Sequence, residues 1–321
     1  MNPLKLSIFE EKAVQNGERI YVHGIQRQVR EIFKELGGVT NAIRLAGFNY
    51  VGAKEWAYRG KPILLSNLVH LLNLLPKQKR LEYQKSIESK ELFLSGRYSS
   101  LTGRFPASIS KELAYVAGII LGDGTLSGDN KKRKRAWKVR AVFDDLEHAA
   151  YYNKTMANIF GLEGGIYKKK NKNCYGAGFG SIFVHWFFRS YFGFHTGKKA
   201  HKIEIPKRIL RTKNPALINA CLQGLFDSDG SVAPSNKEVK FASVSKKIVM
   251  QISKSLQKQG ITVYRSQWLK DPKYRMLYSV QSTGKKNLLR FNRIISFSHP
   301  AKQKKLINLL QDTSLTKSPV V

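Results

Sequence analysis

Two carboxylates stand out by where they fall. Asp123 closes the run Val116-Ala-Gly-Ile-Ile-Leu-Gly-Asp-Gly124, and Asp229 closes Leu222-Gln-Gly-Leu-Phe-Asp-Ser-Asp-Gly230. Each run reads as an apolar helix, so each Asp falls at a helix C-terminus, where the macrodipole disfavours negative charge. Small residues recur four apart in both runs: Gly118 and Gly122, then Gly224 and Ser228. That spacing strips one helix face and lets two helices pack backbone to backbone. Alone, such glycines cost about 1 kcal/mol each relative to Ala, and close pairing would offset that cost. Pairing would also bring the two carboxylates together, and a divalent cation would relieve both conflicts. Hard carboxylate oxygens suit Mg²⁺, with Mn²⁺ as a substitute, and such sites hydrolyse phosphodiesters. An Asp-Gly pair can also be a plain helix-stopping turn. Two in register, in a chain this basic, favour a composite site.

The basicity is extreme: 56 Lys and Arg stand against 22 Asp and Glu in 321 residues, a net charge of +34. Such self-repulsion is best tolerated on a polyanion, with nucleic acid the first candidate and an anionic membrane surface the second. No stretch approaches the length of a membrane span and no basic amphipathic helix carries an exposed apolar face, so no membrane partner is expected. Cys174 and Cys221 are the only cysteines. A disulfide framework or zinc site is therefore not expected, and an intracellular, soluble, reducing location is: cytoplasm, nucleoid or organelle matrix.

The elements that must position the two Asp residues come from an internal repeat. ELAYVAGIILGDGTL is answered by INACLQGLFDSDGSV, and the strand pattern KVRAVFD by VKFASVS. A helix closed by Gly161 or Gly260, a hairpin-like stretch, an aromatic helix ending at Phe194 or Phe297, and a lysine-rich tail follow in both copies. The expected fold class is α+β: two αββαββα halves, 106–208 and 209–311, related by a pseudo-two-fold axis like that of duplex DNA. Together they would form a DNA-binding saddle. Residues 312–321 read as a tail.

Residues 1–76 read as a small all-helical domain, with helices ending at Gly37-Gly38, Gly47, Gly60 and Pro76. The stretch GGVTNAIRLAGFNYVGAKEWAYRGKP resembles the helix-turn-helix of phage-repressor-like proteins, with Phe48 and Trp56 as core plugs. The recognition helix would be 50–59 and would offer Asn49, Tyr50, Lys54, Tyr58 and Arg59 to a groove. Residues 77–105 read as a basic linker without a core.

The paired motifs resemble those of the LAGLIDADG homing endonucleases in their single-chain, two-motif form. The resemblance spans about 106–311 and includes the closing FSHPAKQKKL pattern. It implies metal-dependent cutting of both strands of a long double-stranded DNA site across the minor groove, leaving short 3′ overhangs, by a monomer. Asp123 and Asp229 match the family's metal ligands, and Gly122 and Ser228 would add a metal-contacting carbonyl. Leu121 replaces the usual Asp of the first motif, a position that is not the usual ligand, so asymmetry is expected rather than inactivity. The family also places a basic residue near each scissile phosphate. Aligning Phe194 with Phe297 nominates Lys199 and Lys302, with plain phosphate contact as the competing role.

DNA reading is expected from the strands. In VYRSQWLKDPKYRMLYSVQS, Tyr264, Trp268, Tyr274, Met276, Tyr278 and Val280 alternate with Arg265, Gln267, Lys273, Arg275, Ser279 and Gln281. Period two predicts one dry face and one polar face whose Arg and Gln can read base edges. Lys138, Arg140, Tyr167, Lys169 and Asn171 hold similar places in the first half, as does Lys240 in the second. The run KKRKRAWK at 131–138 reads as a phosphate-gripping loop, or as a nuclear-localisation-like patch.

A chain that starts at Met1 and ends SPVV, without a nucleophile or terminal His-Asn, is not expected to splice. The alternative to a nuclease is a LAGLIDADG-fold binder that does not cut: a transcription regulator, or a maturase acting on RNA.

Overall fold

The computed structural model describes residues 6–10, 19–96, 101–128, 138–170, 172–197, 199–269 and 275–311. The expectations for Asn171, Lys273, the 312–321 tail and most of the 131–138 run lie outside the described residues.

The N-terminal unit departs from the all-helical expectation. Strand β1 (Ile20–His23) precedes helices α1 (Gln26–Glu35), α2 (Val39–Ala46) and α3 (Tyr50–Tyr58). Strand β2 (Ile63–Leu64), α4 (Leu65–Asn73), α5 (Lys77–Glu88), β3 (Phe93–Gly96) and β4 (Gly103–Arg104) follow. The strands form one antiparallel sheet in the order β2-β1-β3-β4. The described residues within 77–105 are therefore structured, and β3 and β4 complete the sheet that Ile20 and Val22 begin. Their few apolar residues are enough: Ile87, Leu92, Leu94 and Phe105 are all buried. The unit also packs on the first half, since a Cβ on Gly96 would lie 2.6 Å from Ile182 Cβ. Gly47, in the left-handed region at φ 66°, makes the sharp turn between α2 and α3. Phe48 packs edge-on against Trp56 at 5.4 Å, so both serve as the expected plugs.

The two halves repeat one architecture. The first runs α6 (Lys111–Leu121), β5 (Thr125–Ser127), β6 (Lys138–Phe143), α7 (Leu146–Phe160), β7 (Gly165–Lys168), β8 (Tyr175–Phe179) and α8 (Ile182–Phe192). After the short α9 (Lys207–Arg211) the second runs α10 (Pro215–Asp229), β9 (Gly230–Ala233), β10 (Glu238–Ser243), α11 (Lys246–Lys258), β11 (Tyr264–Trp268), β12 (Leu277–Thr283) and α12 (Lys285–Ile294), and α13 (Pro300–Gln311) closes it. Both sheets are four-stranded with equivalent orders, β5-β6-β8-β7 and β9-β10-β12-β11. The protein is α+β, with helices on one face of each antiparallel sheet.

α6 and α10 form the most extensive helix pair among the described elements. Local sequence sets where they start: the Ser110 side chain accepts from Leu113 N–H, and Asn214 accepts from Ala216 N–H just before Pro215. Every residue from Leu113 to Leu121 is buried. The glycines decide how close the helices come. A Cβ on Gly118 would lie 2.2 Å from the Cys221 carbonyl oxygen, and one on Gly224 would lie 2.1 Å from that of Tyr115. Nothing larger than hydrogen fits at either place.

Candidate active site and nucleic-acid interface

The paired helices deliver Asp123 and Asp229 to one place. α6 ends at Leu121 and Asp123 follows it by two residues, whereas α10 runs through Asp229. Gly124 and Gly230 then turn the chain back along the helix so tightly that a Cβ would lie 2.3 Å from Ile120 Cα or 2.5 Å from the Phe226 carbonyl oxygen. Both Asp residues open onto solvent, yet the surrounding protein still penalises their charge. Burial pushes Asp229 up to about 6, and the neighbouring Asp123 pushes the same way against Lys199 and Lys302. Asp123 is also raised, by burial first, with Lys302 and Lys199 opposing and Asp144 adding to the rise.

Lys199 and Lys302 occupy matching posts, but their protons are engaged elsewhere. The Lys199 ammonium donates to the carbonyls of Ile120 and Leu121, and that of Lys302 to those of Phe226, Asp227 and Ser228. Each lysine satisfies orphan carbonyls at the negative end of a motif helix. Burial lowers Lys199 to about 8 and lowers Lys302 as well, although the nearby aspartates resist. No described residue donates a hydrogen bond or forms an ion pair with either Asp123 or Asp229. Two converging carboxylates with raised pKa values and no hydrogen-bond or ion-pair partner among the described residues suit a hard divalent cation. Among the described residues no group of three or more His, Cys, Asp or Glu side chains could hold a metal. The remaining ligands would be carbonyl, water and phosphate oxygens.

Gly122 and Ser228 meet across the paired helices. The Ser228 hydroxyl donates to the Gly224 and Leu225 carbonyls, and a Cβ on Gly122 would lie 2.0 Å from that hydroxyl oxygen. The Ser228 carbonyl, proposed as a metal contact, accepts from Lys302 at 2.9 Å.

One part of the site was not assigned from the motifs. Asp227 is buried and accepts from the Tyr115 hydroxyl at 2.9 Å and from the backbone N–H groups of Ser298 and His299. The Tyr115 oxygen also meets His148 Nε2 at 2.9 Å. Since the tyrosine spends its one proton on Asp227, His148 Nε2 must be the donor in that contact. His148, lowered to about 4 by burial and then by His299 and Lys302, is neutral. His299 Nε2 meets Asp144 Oδ1 at 2.8 Å. Burial raises the Asp144 carboxyl, but its bond to His299 and the charges nearby outweigh this and hold it low. Asp123, Asp144, His148, Asp227 and Lys302 line a common cleft of about 270 Å³. Tyr115, Asp227 and His299 stand within the stretches quoted above without a role assigned to them, and Asp144 shows only as the Asp144-Asp145 doublet, in which Asp145 caps α7 and leaves Asp144 without a structural task.

The open sheet faces differ in part from the expected alternation. In the first half Lys138 and Arg140 share the face opposite the core with Tyr167. Gly176 and Gly178 clear room there for the Tyr167 ring and the Arg140 stem. Lys169 lies just beyond β7, close enough to influence Asp123. In the second half Tyr264 pairs with Gln281, which pairs with Lys240, and Trp268 pairs with Leu277. Tyr264 and Trp268 therefore share the open face with Gln281 and Ser279, and Lys240 sits 4.9 Å over the Trp268 ring. Arg265 pairs with buried Val280 and Gln267 with Tyr278, so both point the other way, towards α11. The expected parity breaks because even-numbered residues of β11 face odd-numbered residues of β12. The intervening loop resets the phase. Ser279 is fully buried and bonded to Ser266 at 2.7 Å, which takes it out of direct reading. Arg275 is exposed just before β12. Lys54 lies over Tyr50 on α3, and Arg59 caps that helix.

The fold and site define a two-fold pseudo-symmetric α+β protein with paired motif helices and paired carboxylates. Residues 216–296 match the model of the LAGLIDADG-like domain. It is 26% identical over 208 residues to glutamine–fructose-6-phosphate aminotransferase (isomerizing) of Methanocaldococcus jannaschii, covering 64% of this chain and 18% of that protein. It is 22% identical over 337 residues to the replication factor C small subunit of the same organism, covering 94% of this chain and 17% of that protein. The chain thus spans under a fifth of the length of the curated relatives it matches. The homing endonuclease I-DmoI, solved in complex with DNA and Ca, is 17% identical and covers 62% of this chain and 97% of its own, with a TM-score of 0.47. Full-length DUF199/WhiA from Thermatoga maritima is 16% identical and covers 66% of this chain and 63% of its own, with a TM-score of 0.40.

Proposed function

We propose that this chain is a site-specific endonuclease that hydrolyses both strands of a long double-stranded DNA target with a divalent cation, Mg²⁺ or in its place Mn²⁺. The observation that carries this reading is that Asp123 and Asp229 converge with no hydrogen-bond or ion-pair partner among the described residues, while the two lysines beside them donate to helix carbonyls. A protein that only bound DNA would gain nothing from two unneutralised carboxylates facing phosphates. Asp123 and Asp229 would hold the cation, which supplies charge stabilisation at the scissile phosphates when bound. Gly118 and Gly224 fix the spacing of the two carboxylates, and Lys199 and Lys302 hold the helix ends that carry them. The open faces bearing Lys138, Arg140, Tyr167, Lys240, Trp268 and Gln281 would grip the duplex. The unrelated named activities of the two curated relatives above, each matched over under a fifth of its length, also fit a shared segment with a task of its own.

The competing reading is a DNA- or RNA-binding protein that does not cut. It draws support from α3, whose exposed Tyr50, Val51 and Tyr58 offer a surface to a groove. No described helix is long and apolar enough to cross a membrane. The test is to select cleaved molecules from a randomised library of long duplexes in Mg²⁺. Recovery of one cut sequence supports the nuclease, whereas tight binding of one sequence with no cutting in Mg²⁺ or Mn²⁺ refutes it.

A further inference from the structure

The polar network beside Asp123 draws residues from both halves but is present on one side of the site only. The repeat gives each member a counterpart, using the helix caps Asp145 and Ser245 and the lysines Lys199 and Lys302 as anchors. Asp144 answers to Val244, His148 to Ile248, Asp227 to Leu121, Tyr115 to Cys221 and His299 to Thr196. At all five positions the counterpart is apolar, weakly polar or, at Thr196, too short to reach across. Scattered drift would distribute polar residues between the two sides of the site. Here they all gather on one side and touch in sequence.

The contacts also have a direction. Asp227, held in α10, binds the backbone N–H groups of Ser298 and His299 and so fixes that turn. His299 then reaches across the pseudo-two-fold to Asp144 at the end of β6 in the other half. Its ring lies 5.0 Å from that of His148, which rests in turn on Phe143 at 4.9 Å. Asp144 is the one member that opens to solvent, with its side chain 74% exposed, and it faces the cleft shared with Asp123 and Lys302. A buried network is costly unless every member is satisfied. This one ends in an exposed carboxylate that shares its cleft with Asp123 and Asp227, a placement that no stability argument requires.

We propose that Asp144 is a third active-site carboxylate serving only one DNA strand, and that His299 is the residue that positions it, so that the two strands are cut in a fixed order. The proposal rests on the endonuclease reading above. An ionised Asp144 accepts a hydrogen bond from water approaching the phosphate on its own side and orients that water. Val244 offers the opposite side no such acceptor. The strand beside Asp144 and Lys302 is therefore cut first and the strand beside Asp229 and Lys199 second.

The experiment uses the full chain and a duplex recovered from the library selection, labelled differently on each strand, with the two cuts timed in Mg²⁺. Wild type is expected to nick one strand about tenfold or more ahead of the other. Asp144→Asn slows the leading cut by about tenfold or more and leaves the trailing one unchanged. His299→Leu does the same through kcat rather than KM, and His299→Gln, which keeps a donor, restores part of the rate. Melting curves report whether the His299 variants stay folded, and exposed Asp144 carries the test if they do not. Wild-type strands cut in step, or an Asp144→Asn that slows both strands alike or neither, overturns the inference and leaves the nuclease reading standing. A wild type that cuts no strand removes both.

Discussion

Gly118 and Gly224 face each other across the paired helices with no room for a methyl group on either, because the nearest atoms are backbone. Backbone cannot rotate aside, so Gly118→Ala should force α6 and α10 apart and cost about 1–3 kcal/mol. Gly122 makes a useful contrast, since its obstacle is the Ser228 side chain. Gly122→Ala should be rescued by Ser228→Gly in a double-mutant cycle followed by melting, whereas no side-chain change near Gly118 should rescue that variant. Additive effects at Gly122 and Ser228 would contradict the packing described.

The pH dependence follows from two groups. Asp229 must be ionised to hold a cation, and it is pushed up to about 6. Lys199 loses its charge above about 8. Cleavage at subsaturating Mg²⁺ should therefore fall as pH drops through 6 and fall again above 8. The stability sign is the reverse for the carboxylate: its folded pKa exceeds the unfolded one, so metal-free protein pays for the charge at neutral pH and is relieved on acidification. Asp229→Asn should raise the melting temperature at pH 7.5 in EDTA, and added Mg²⁺ should stabilise only the wild type. Activity that stays flat down to pH 5 would count against this assignment.

Lys199 and Lys302 can be sorted between capping and phosphate binding by salt. A lysine bound to phosphate contributes about one unit to the log–log salt slope of DNA affinity. Since both ammonium groups are spent on carbonyls, Lys302→Met should leave that slope unchanged while lowering stability by about 1–3 kcal/mol for the carbonyls it uncaps. A slope lowered by a full unit would return Lys302 to plain phosphate contact.

The two faces of β11 give a fourth prediction. Trp268→Ala and Lys240→Ala lie on the open face and should each weaken DNA binding about tenfold, by loss of a stacked cation–aromatic platform. Arg265→Ala and Gln267→Ala, turned towards α11, should weaken it much less. Competition binding at fixed salt checks the order, and the reverse order would mean the duplex sits on the other side of the sheet.

What could be read from the sequence was what repeats or has a short period. Asp123, Asp229 and the small residues four apart were legible because helix geometry acts within one turn. The αββαββα order was legible because it occurs twice. The orientation of Tyr264 and Trp268 was not, because a loop between strands resets parity and its length does not reveal the register. Asp144 and His299 were not, because nothing local joins residues from opposite halves. The sheet completed by β3 and β4 was hidden by lysine- and serine-rich flanks, in which a few buried residues such as Leu94 and Phe105 were sufficient.

The central claim is that Asp123 and Asp229 form one cation-dependent catalytic centre. The most direct test is to compare wild type, Asp123→Asn and Asp229→Asn on the selected duplex, measuring double-strand cutting in Mg²⁺ and affinity in EDTA in parallel. Each single substitution should abolish double-strand cutting while affinity in EDTA stays equal or rises, as one repulsive charge is lost. Normal cutting by either variant would contradict the account.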